Sequence, residues 1–428
     1  MNVDTIFAVS SGRPPAAIAV IRISGGGAID AAAALAGPLP AARRAGLRDL
    51  RDAAGGLLDR ALVLVFPGPG SATGEGLVEL HCHGGRAVVA AVEATLATMP
   101  GLRRAEPGEF TRRAVLHGRI DLAEAQGLAD LLEAETETQR RAALSATEGR
   151  VSALIGDWLQ RVTRLAARVE ASLDFADEDD VAAGEGASLD PVRRDMRTLA
   201  AEIGEVLAAP PVERVRDGIP VVIAGPPNAG KSTLFNRLCG RDAAIVSPIA
   251  GTTRDRIEAA VQRQGVAYLL IDTAGMRDDW GDEIEAEGIG RAERAIAAAD
   301  VLVWLADDPP PPSNAVWLHG RADLPDRAAP AEAQLAVSAF DPASVSRVWD
   351  AIERAARALL PQADQVLLHR QQRADCVRAR AALGHPATDP LIVAEQLRAA
   401  RVELGHIIGQ GATEAMLDVL FGRFCIGK

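Results

Sequence analysis

Gly225-Pro-Pro-Asn-Ala-Gly-Lys-Ser232 has the spacing Gly-x-x-x-x-Gly-Lys-Ser. It follows the apolar run Val221-Val-Ile-Ala224 and opens the helical stretch Thr233-Leu-Phe-Asn-Arg-Leu238. A glycine-rich turn between a strand and a helix aims several backbone N–H groups into one hollow, where they hold phosphate. In such a loop Lys231 reaches the β- and γ-phosphate oxygens and Ser232 ligates Mg²⁺. A chance glycine turn would not have strand, motif and helix in register.

Strands and helices alternate from about Gly218 to Pro361, as a βαβ domain requires. Val221–Ala224, Ala267-Tyr-Leu-Leu-Ile271 and Val301-Leu-Val-Trp-Leu305 read as buried parallel strands. Asp272-Thr-Ala-Gly275 ends the second of these. There Asp272 would hold Mg²⁺ through water and the Gly275 N–H would sense the γ-phosphate. Thr252-Thr253-Arg254-Asp255 lies in a loop about twenty residues beyond Ser232, and Thr253 is the choice to complete the Mg²⁺ shell. Gly320-Arg-Ala-Asp323 is the best match to an Asn-Lys-x-Asp guanine signature, with Gly320 in place of the asparagine and Arg321 in place of the lysine. Asp323 can accept from guanine N1 and N2. Ser338-Ala339, after Leu335-Ala-Val337, fits the last base-contacting loop. A GTP preference with weakened base affinity is the expectation. Met276 stands where many small GTPases carry a glutamine that orients water, a task methionine cannot perform. Glu285 is a candidate for it, and an exposed helix carboxylate is the other reading of that residue.

Composition bounds the rest. The chain has 428 residues, 48% apolar and 24% charged, which fits two or three soluble globular domains. No apolar run is long enough to span a membrane, and the N-terminus lacks the basic and apolar regions of a secretory signal. Cys82, Cys239, Cys376 and Cys425 are far apart, which suits a reducing cytoplasm. A net charge of -12 argues against a generic nucleic-acid binder, so RNA contact would need a local basic patch or a partner. Only two lysines are present, Lys231 and Lys428. Arginine serves elsewhere, so a compact ammonium is kept for the phosphate loop and the chain end.

Residues 1–118 read as an α+β domain, with strands at Ala17–Ile23 and Arg60–Phe66 and a helix from Gly85 to Met99. Helical patterns follow at Ala123–Ala134 and Thr138–Ala171 and return from about Asp364 almost to the end. A nucleotide domain thus interrupts a helical one. Asp177-Glu-Asp-Asp180 reads as a solvated loop. His81-Cys-His83 looks like a metal triplet, but adjacent residues on a strand cannot all face one ion.

These motifs, together with others along the chain, resemble the MnmE/TrmE family of tRNA-modification GTPases. The others are Arg22-Ile-Ser-Gly25, Thr73-Gly-Glu75, Glu79-Leu80, His83-Gly-Gly85, Arg104-x-x-Pro-Gly-Glu-Phe-Thr111, Asp121-Leu-Ala-Glu-Ala125, Ala250-Gly-Thr-Thr-Arg-Asp255 and Phe424-Cys-Ile-Gly-Lys428. The resemblance runs from Asp4 to Lys428. It implies a multidomain chain with a folate-binding α+β N-terminal domain (1–118), an all-α helical domain (119–215 and 364–428) and an inserted α/β P-loop GTPase domain (216–363). It also implies a cytoplasmic homodimer that joins a flavin-dependent MnmG-type partner in a heterotetramer and acts on tRNA. There it would add an aminomethyl or carboxymethylaminomethyl group at C5 of the wobble uridine. A 5-formyl- or 5,10-methylene-tetrahydrofolate would supply one carbon, and glycine or ammonium would complete the group.

The resemblance also assigns sites. Nucleotide contacts would come from Asn228, Ala229, Gly230, Lys231, Ser232 and Thr233; from Ser247, Pro248, Ile249, Ala250, Gly251, Thr252 and Thr253; from Asp272, Thr273, Ala274 and Gly275; and from Asp323, Ser338 and Ala339. Asn228, Ser247, Ile249 and Thr252 would hold K⁺, and Ser232 and Thr253 would hold Mg²⁺. Glu285 matches the family's water-orienting glutamate. Folate would be held by Arg22, Glu79, Arg119 and Lys428, with Cys425 nearby as a residue for one-carbon chemistry or as a small buried hydrophobe. A GTPase switch in ribosome or RNA assembly is the alternative, and an ATPase is a second one prompted by Gly320.

Overall fold

The computed structural model describes residues 4–174, 188–240, 244–245, 258–273, 293–310, 315–324, 330, 332–362, 365–411, 414–422 and 424–427. The chain forms two compact units, Met1–Ala129 with Gly405–Lys428, and Asp130–Leu404. No helix among the described residues is long and apolar enough to cross a membrane.

In the first unit, β1 (Thr5–Val9), β2 (Ile18–Ser24), β3 (Gly46–Arg51), β4 (Leu57–Phe66), β5 (Leu77–His83) and β6 (Leu102–Arg104) form one sheet in the order β3-β4-β5-β2-β1-β6. Alternation in β2 and β5 sends Ile21, Ile23, Val78, Leu80 and Cys82 to one face. There α1 (Ala28–Ala36) and α2 (Arg86–Ala97) cover them with Ala28, Ala32, Leu35, Val92 and Leu96. The other face carries Arg22, Ser24, Glu79 and His81, beside a small apolar group of Ile6, Ala8, Ala105 and Phe110. The His81-Cys-His83 triplet does not converge. Cys82 is buried in the core, which pushes its thiol up to about 12, while His81 pairs with Glu79 and His83 with Asp59.

α3 (Glu109–Leu116) is anchored by charge. Glu109 accepts from Arg103 at 2.8 and 2.6 Å, from Arg113 at 3.0 Å and from the Glu106 N–H at 2.9 Å. Arg103 and Arg113 also donate to Asp4, so β1, β6 and α3 share one network. Burial opposes ionisation of Asp4 and Glu109, but the arginines outweigh it and hold both carboxyls below their usual range. Just before α3, Gly108 lies at φ 69°, and a Cβ there would come within 2.5 Å of the Phe421 carbonyl oxygen. Phe421 and Phe424 pack with Leu122 and Ala125 of α4 (Leu122–Glu133). The tail then pairs Ile426 with Pro107, and Gly427 meets the end of β1.

The second unit has a helical part and a sheet. α5 (Glu137–Thr147) and α6 (Arg150–Asp174) replace the single helix expected over Thr138–Ala171, because Gly149 at φ 78° breaks the chain between them. α6, α7 (Asp190–Ala208) and α11 (Arg370–Gly384) bury Trp158, Val162, Met196, Ile203, Cys376 and Leu383. The helical stretch expected from Asp364 is also interrupted. It becomes α11, α12 (Pro390–Ile407) and, within the first unit, α13 (Glu414–Phe421). Between α7 and α11 the chain passes through the short α8 (Glu213–Arg216), then a seven-stranded sheet with α9 (Lys231–Leu238) and α10 (Pro342–Arg357). Entry and exit are joined. The Val212 N–H donates to Leu368 O at 3.2 Å, the Arg370 N–H to Glu213 Oε1 at 2.7 Å, and Arg373 to the carbonyls of Ala209 and Leu207.

The sheet runs β13-β12-β11-β7-β10-β9-β8, from β7 (Ile219–Ala224), β8 (Ala244–Ile245), β9 (Glu258–Arg263), β10 (Val266–Asp272), β11 (Val301–Leu305), β12 (Val316–Gly320) and β13 (Leu335–Val337). β7, β10, β11, β12 and β13 are parallel, and β9 runs antiparallel to β10. β7 is central, and the chain order reverses on either side of it, so the loop after β7 opens at a switch point where α/β sheets bind ligands.

Glu109→Gln removes the charge that Arg103 and Arg113 share. It is expected to cost about 2–3 kcal/mol and to speed amide exchange in residues 4–9 and 102–116 at neutral pH. Asp4 and Glu109 titrate below their unfolded values, so their contribution is present above the ordinary glutamate value of 4.5 and is lost as the pH falls through the depressed ones. Protection factors in these segments, corrected for the intrinsic exchange rate at each pH, should therefore fall on acidification in the parent protein and less steeply in the variant.

Candidate functional site

The phosphate loop turns by way of three unusual backbone positions. Gly225 lies at φ 146°, Asn228 at φ 60° and Gly230 at φ 99°. A Cβ on Gly225 would lie 2.2 Å from the Leu305 carbonyl oxygen, so only glycine fits. Asparagine tolerates the left-handed region, which leaves the exposed Asn228 at the tip of the loop. Lys231 begins α9 and is buried, with Nζ donating to Pro226 O at 2.9 Å. Ser232 and Thr233 are exposed in the first turn of α9, where free backbone N–H groups gather. Asp272 and Thr273 are buried at the end of β10, and Thr273 donates through N and Oγ1 to Ile223 O on β7.

A cleft of about 360 Å³ joins this loop to the ends of β12 and β13. Ala229, Gly230 and Thr233 line one side, and Gly320, Arg321, Asp323, Ala339 and Phe340 the other. Ser338 is buried beside it and accepts from the Phe340 N–H through Oγ. Gly320 faces a tight contact, since a Cβ there would meet Ala229 O at 3.0 Å and Leu305 Cδ1 at 3.1 Å. An asparagine would have to displace one of them.

The first unit holds a second cluster. Arg22 and Glu79 are partners across β2 and β5, and Arg22 Nη2 lies 2.8 Å from Glu79 Oε1. His81 Nε2 approaches Glu79 Oε2 at 3.2 Å, and Arg22 stands over the Phe110 ring at 5.7 Å. Burial opposes charge on Glu79, but Arg22 and then His81 hold its carboxyl below the usual range. Beside this pair Ser24 Oγ lies 2.7 Å from Thr73 Oγ1 and donates to Glu75 at 3.2 Å. Gly74, at φ 82°, packs against His117 and Arg119. Arg119 itself is exposed, as is Cys425. Gly427 lies against Val9 O, one residue along β1 from Ala8, the cross-strand partner of Arg22.

Two family models cover nearly the whole chain. Residues 5–119 match the GTP-binding protein TrmE N-terminus, and residues 122–425 match the MnmE helical domain. The chain belongs to the MnmE family. Relatives named tRNA modification GTPase MnmE include one from Erythrobacter litoralis, 54% identical over 99% of this chain and 100% of that protein. One from Rhizorhabdus wittichii is 53% identical, covering 99% of this chain and 97% of that protein. The cytosolic domain of the T. maritima FeoB iron transporter aligns over 44% of this chain and 97% of that one, at 15% identity and a TM-score of 0.21, too loosely to carry weight.

In this MnmE-family chain, Ser247, Pro248, Ile249, Ala250, Gly251, Thr252, Thr253, Ala274, Gly275, Met276, Glu285 and Lys428 lie outside the described residues. Sequence reasoning did not single out Asp4, Arg103, Glu109 and Arg113, although Glu109 lies inside the Pro-Gly-Glu motif. Nor did it single out Phe340, whose signal was its place directly after Ser338-Ala339.

Gly320→Asn brings the sequence nearer the guanine signature but overfills the site. It is expected to destabilise the second sheet by about 1–3 kcal/mol, read as a lower urea midpoint in tryptophan fluorescence from Trp304, Trp317 and Trp349.

Proposed function

We propose that this chain is a K⁺-dependent GTP hydrolase that acts in modification of the tRNA wobble uridine. The observation that carries the reading is the one cleft with the phosphate loop on one side and Asp323 and Ala339 on the other. That arrangement suits a guanine nucleotide, and the relatives' shared name agrees with it.

In this reading the backbone N–H groups of Asn228 to Thr233 and the Lys231 ammonium grip the phosphates. Ser232 and Thr253 hold Mg²⁺, with Asp272 acting through water. Asn228, Ser247, Ile249 and Thr252 hold K⁺, and the exposed left-handed position of Asn228 suits that task. A cation there supplies positive charge beside the phosphates, where charge develops during transfer. This answers the lack of a glutamine at Met276, while Glu285 orients water. Ala250, Gly251, Pro248, Thr273, Ala274 and Gly275 line the phosphate side, and Ser338 shapes the base loop.

The N-terminal domain, residues 1–118, binds a tetrahydrofolate derivative. Glu79 is held ionised by Arg22 and His81 and so can accept paired N–H donors from a pterin. Arg22, Arg119 and Lys428 hold the acidic tail, and Cys425 lies near the one-carbon chemistry. The helical domain (119–215 and 364–428) carries the GTPase domain (216–363). Two copies form a homodimer that meets a flavin-dependent partner and tRNA in the cytoplasm.

Hydrolysis should favour GTP over ATP and run at least tenfold faster in K⁺ than in Na⁺, with Asn228→Ala abolishing the difference. Equal rates in both ions would remove the K⁺ site, and ATP preference would remove the guanine assignment. In a strain lacking the gene, mass spectrometry of tRNA should find the wobble uridine unmodified. The parent chain should restore it, and a chain without Lys428 should not, although its GTP hydrolysis is unchanged. Unaltered wobble uridine in the deletion strain would favour a GTPase switch in RNA assembly.

A further inference from the structure

The cleft beside the phosphate loop has one wall with no assigned task. Phe340 lines it, yet 70% of the residue's surface is exposed. The turn that carries the ring is fixed. The Phe340 N–H donates to Ser338 Oγ and the Asp341 N–H to Ser338 O, each at 3.2 Å. The Asp341 carboxylate then caps α10, accepting from the Ala343 and Ser344 N–H groups at 3.1 Å. From α9, which begins at the phosphate loop, Arg237 sets its guanidinium over the ring, 5.7 Å from the centroid. A cation on an aromatic face limits where the ring can go.

The other side of the cleft explains the need for this wall. Gly320 is pressed against Ala229 O and Leu305 and has no side chain of its own to reach a base. Asp323 is then the acidic edge-reader in the cleft, and a carboxylate at a base edge does nothing for the base's face. We infer that Phe340, backed by Arg237, stacks on the purine of the nucleotide bound here and makes up affinity missing at Gly320. This rests on the guanine-nucleotide reading of the cleft given above. Every purine offers a π-face, so stacking raises affinity without choosing a base. Phe340 sets how tightly the nucleotide is held, and Asp323 sets which base is accepted.

The test titrates the full-length protein with GDP by calorimetry, with inorganic tripolyphosphate as a base-free probe. Phe340→Ala is expected to weaken GDP binding about tenfold while tripolyphosphate affinity and the preference for GDP over xanthosine diphosphate stay as in the parent. Phe340→Trp is expected to hold GDP within about twofold of the parent, because it keeps the stacking face. Unchanged GDP affinity in Phe340→Ala, or equal losses for GDP and tripolyphosphate, overturns the stacking role alone. A parent protein that binds no GDP overturns the guanine reading and the stacking role with it.

Discussion

The second sheet is organised by how closely Gly225 and Leu305 approach. A methyl group on Gly225 would collide with the Leu305 carbonyl oxygen, so the phosphate loop can leave β7 only along the path that glycine permits. The same Leu305 side chain reaches Gly320 at the end of β12. One leucine thus draws the loops after β7 and β12 together. At position 320 a side chain would press on both Leu305 and the Ala229 carbonyl oxygen. Phe340 borders the same cleft.

The sheet of the first unit has a different division of labour. Its helices cover the middle of one face, and the other keeps Arg22, Glu79, Ser24 and His81 in register. Arg22, Glu79 and His81 satisfy one another, so they can remain half-buried without an unpaired charge. A network of Asp4, Arg103, Glu109 and Arg113, joined to that face where Arg113 pairs with Glu75 and Ser24 donates to Glu75, fixes α3 and the start of β1. The Pro-Gly-Glu segment therefore acts as a corner piece. Its proline pairs with the tail at Ile426, its glycine clears Phe421, and its glutamate gathers the arginines.

How legible each part was in the sequence depends on how local its cause is. The strands at Val221–Ala224, Ala267–Ile271 and Val301–Leu305 were legible because apolar runs and glycine spacing act over a few residues, and all three are found. The break at Gly149 was not, since apolar periodicity continues through it and only the backbone angle shows the turn. β8 and β9 are short or mixed in pattern and carried no clear signal. Ion pairs were the least legible of all. With arginine supplying nearly every basic group, nothing in the sequence separates Arg103, which bridges two carboxylates, from Arg104, which pairs at 3.3 Å with Glu93. The motif drew attention to Arg104, and distance in space gave the central role to its neighbour. The cleft was half legible. That Asp323 and Ala339 line it agrees with their motif positions, whereas the tight approach at Gly320 and Ala229 needed the fold.

The paired ends of the inserted segment bear on how the chain reaches this state. Arg373 bonds to Ala209, 164 residues away in sequence. Closing so long a flexible loop carries a large entropic penalty and slows the meeting of α7 with α11. If the sheet between them folds first, its two ends emerge side by side and the loop to be closed shrinks to a few residues. The helical part then assembles as though its halves were neighbours. During synthesis the order is set by the ribosome in the same direction, since the sheet is complete before α11 has emerged.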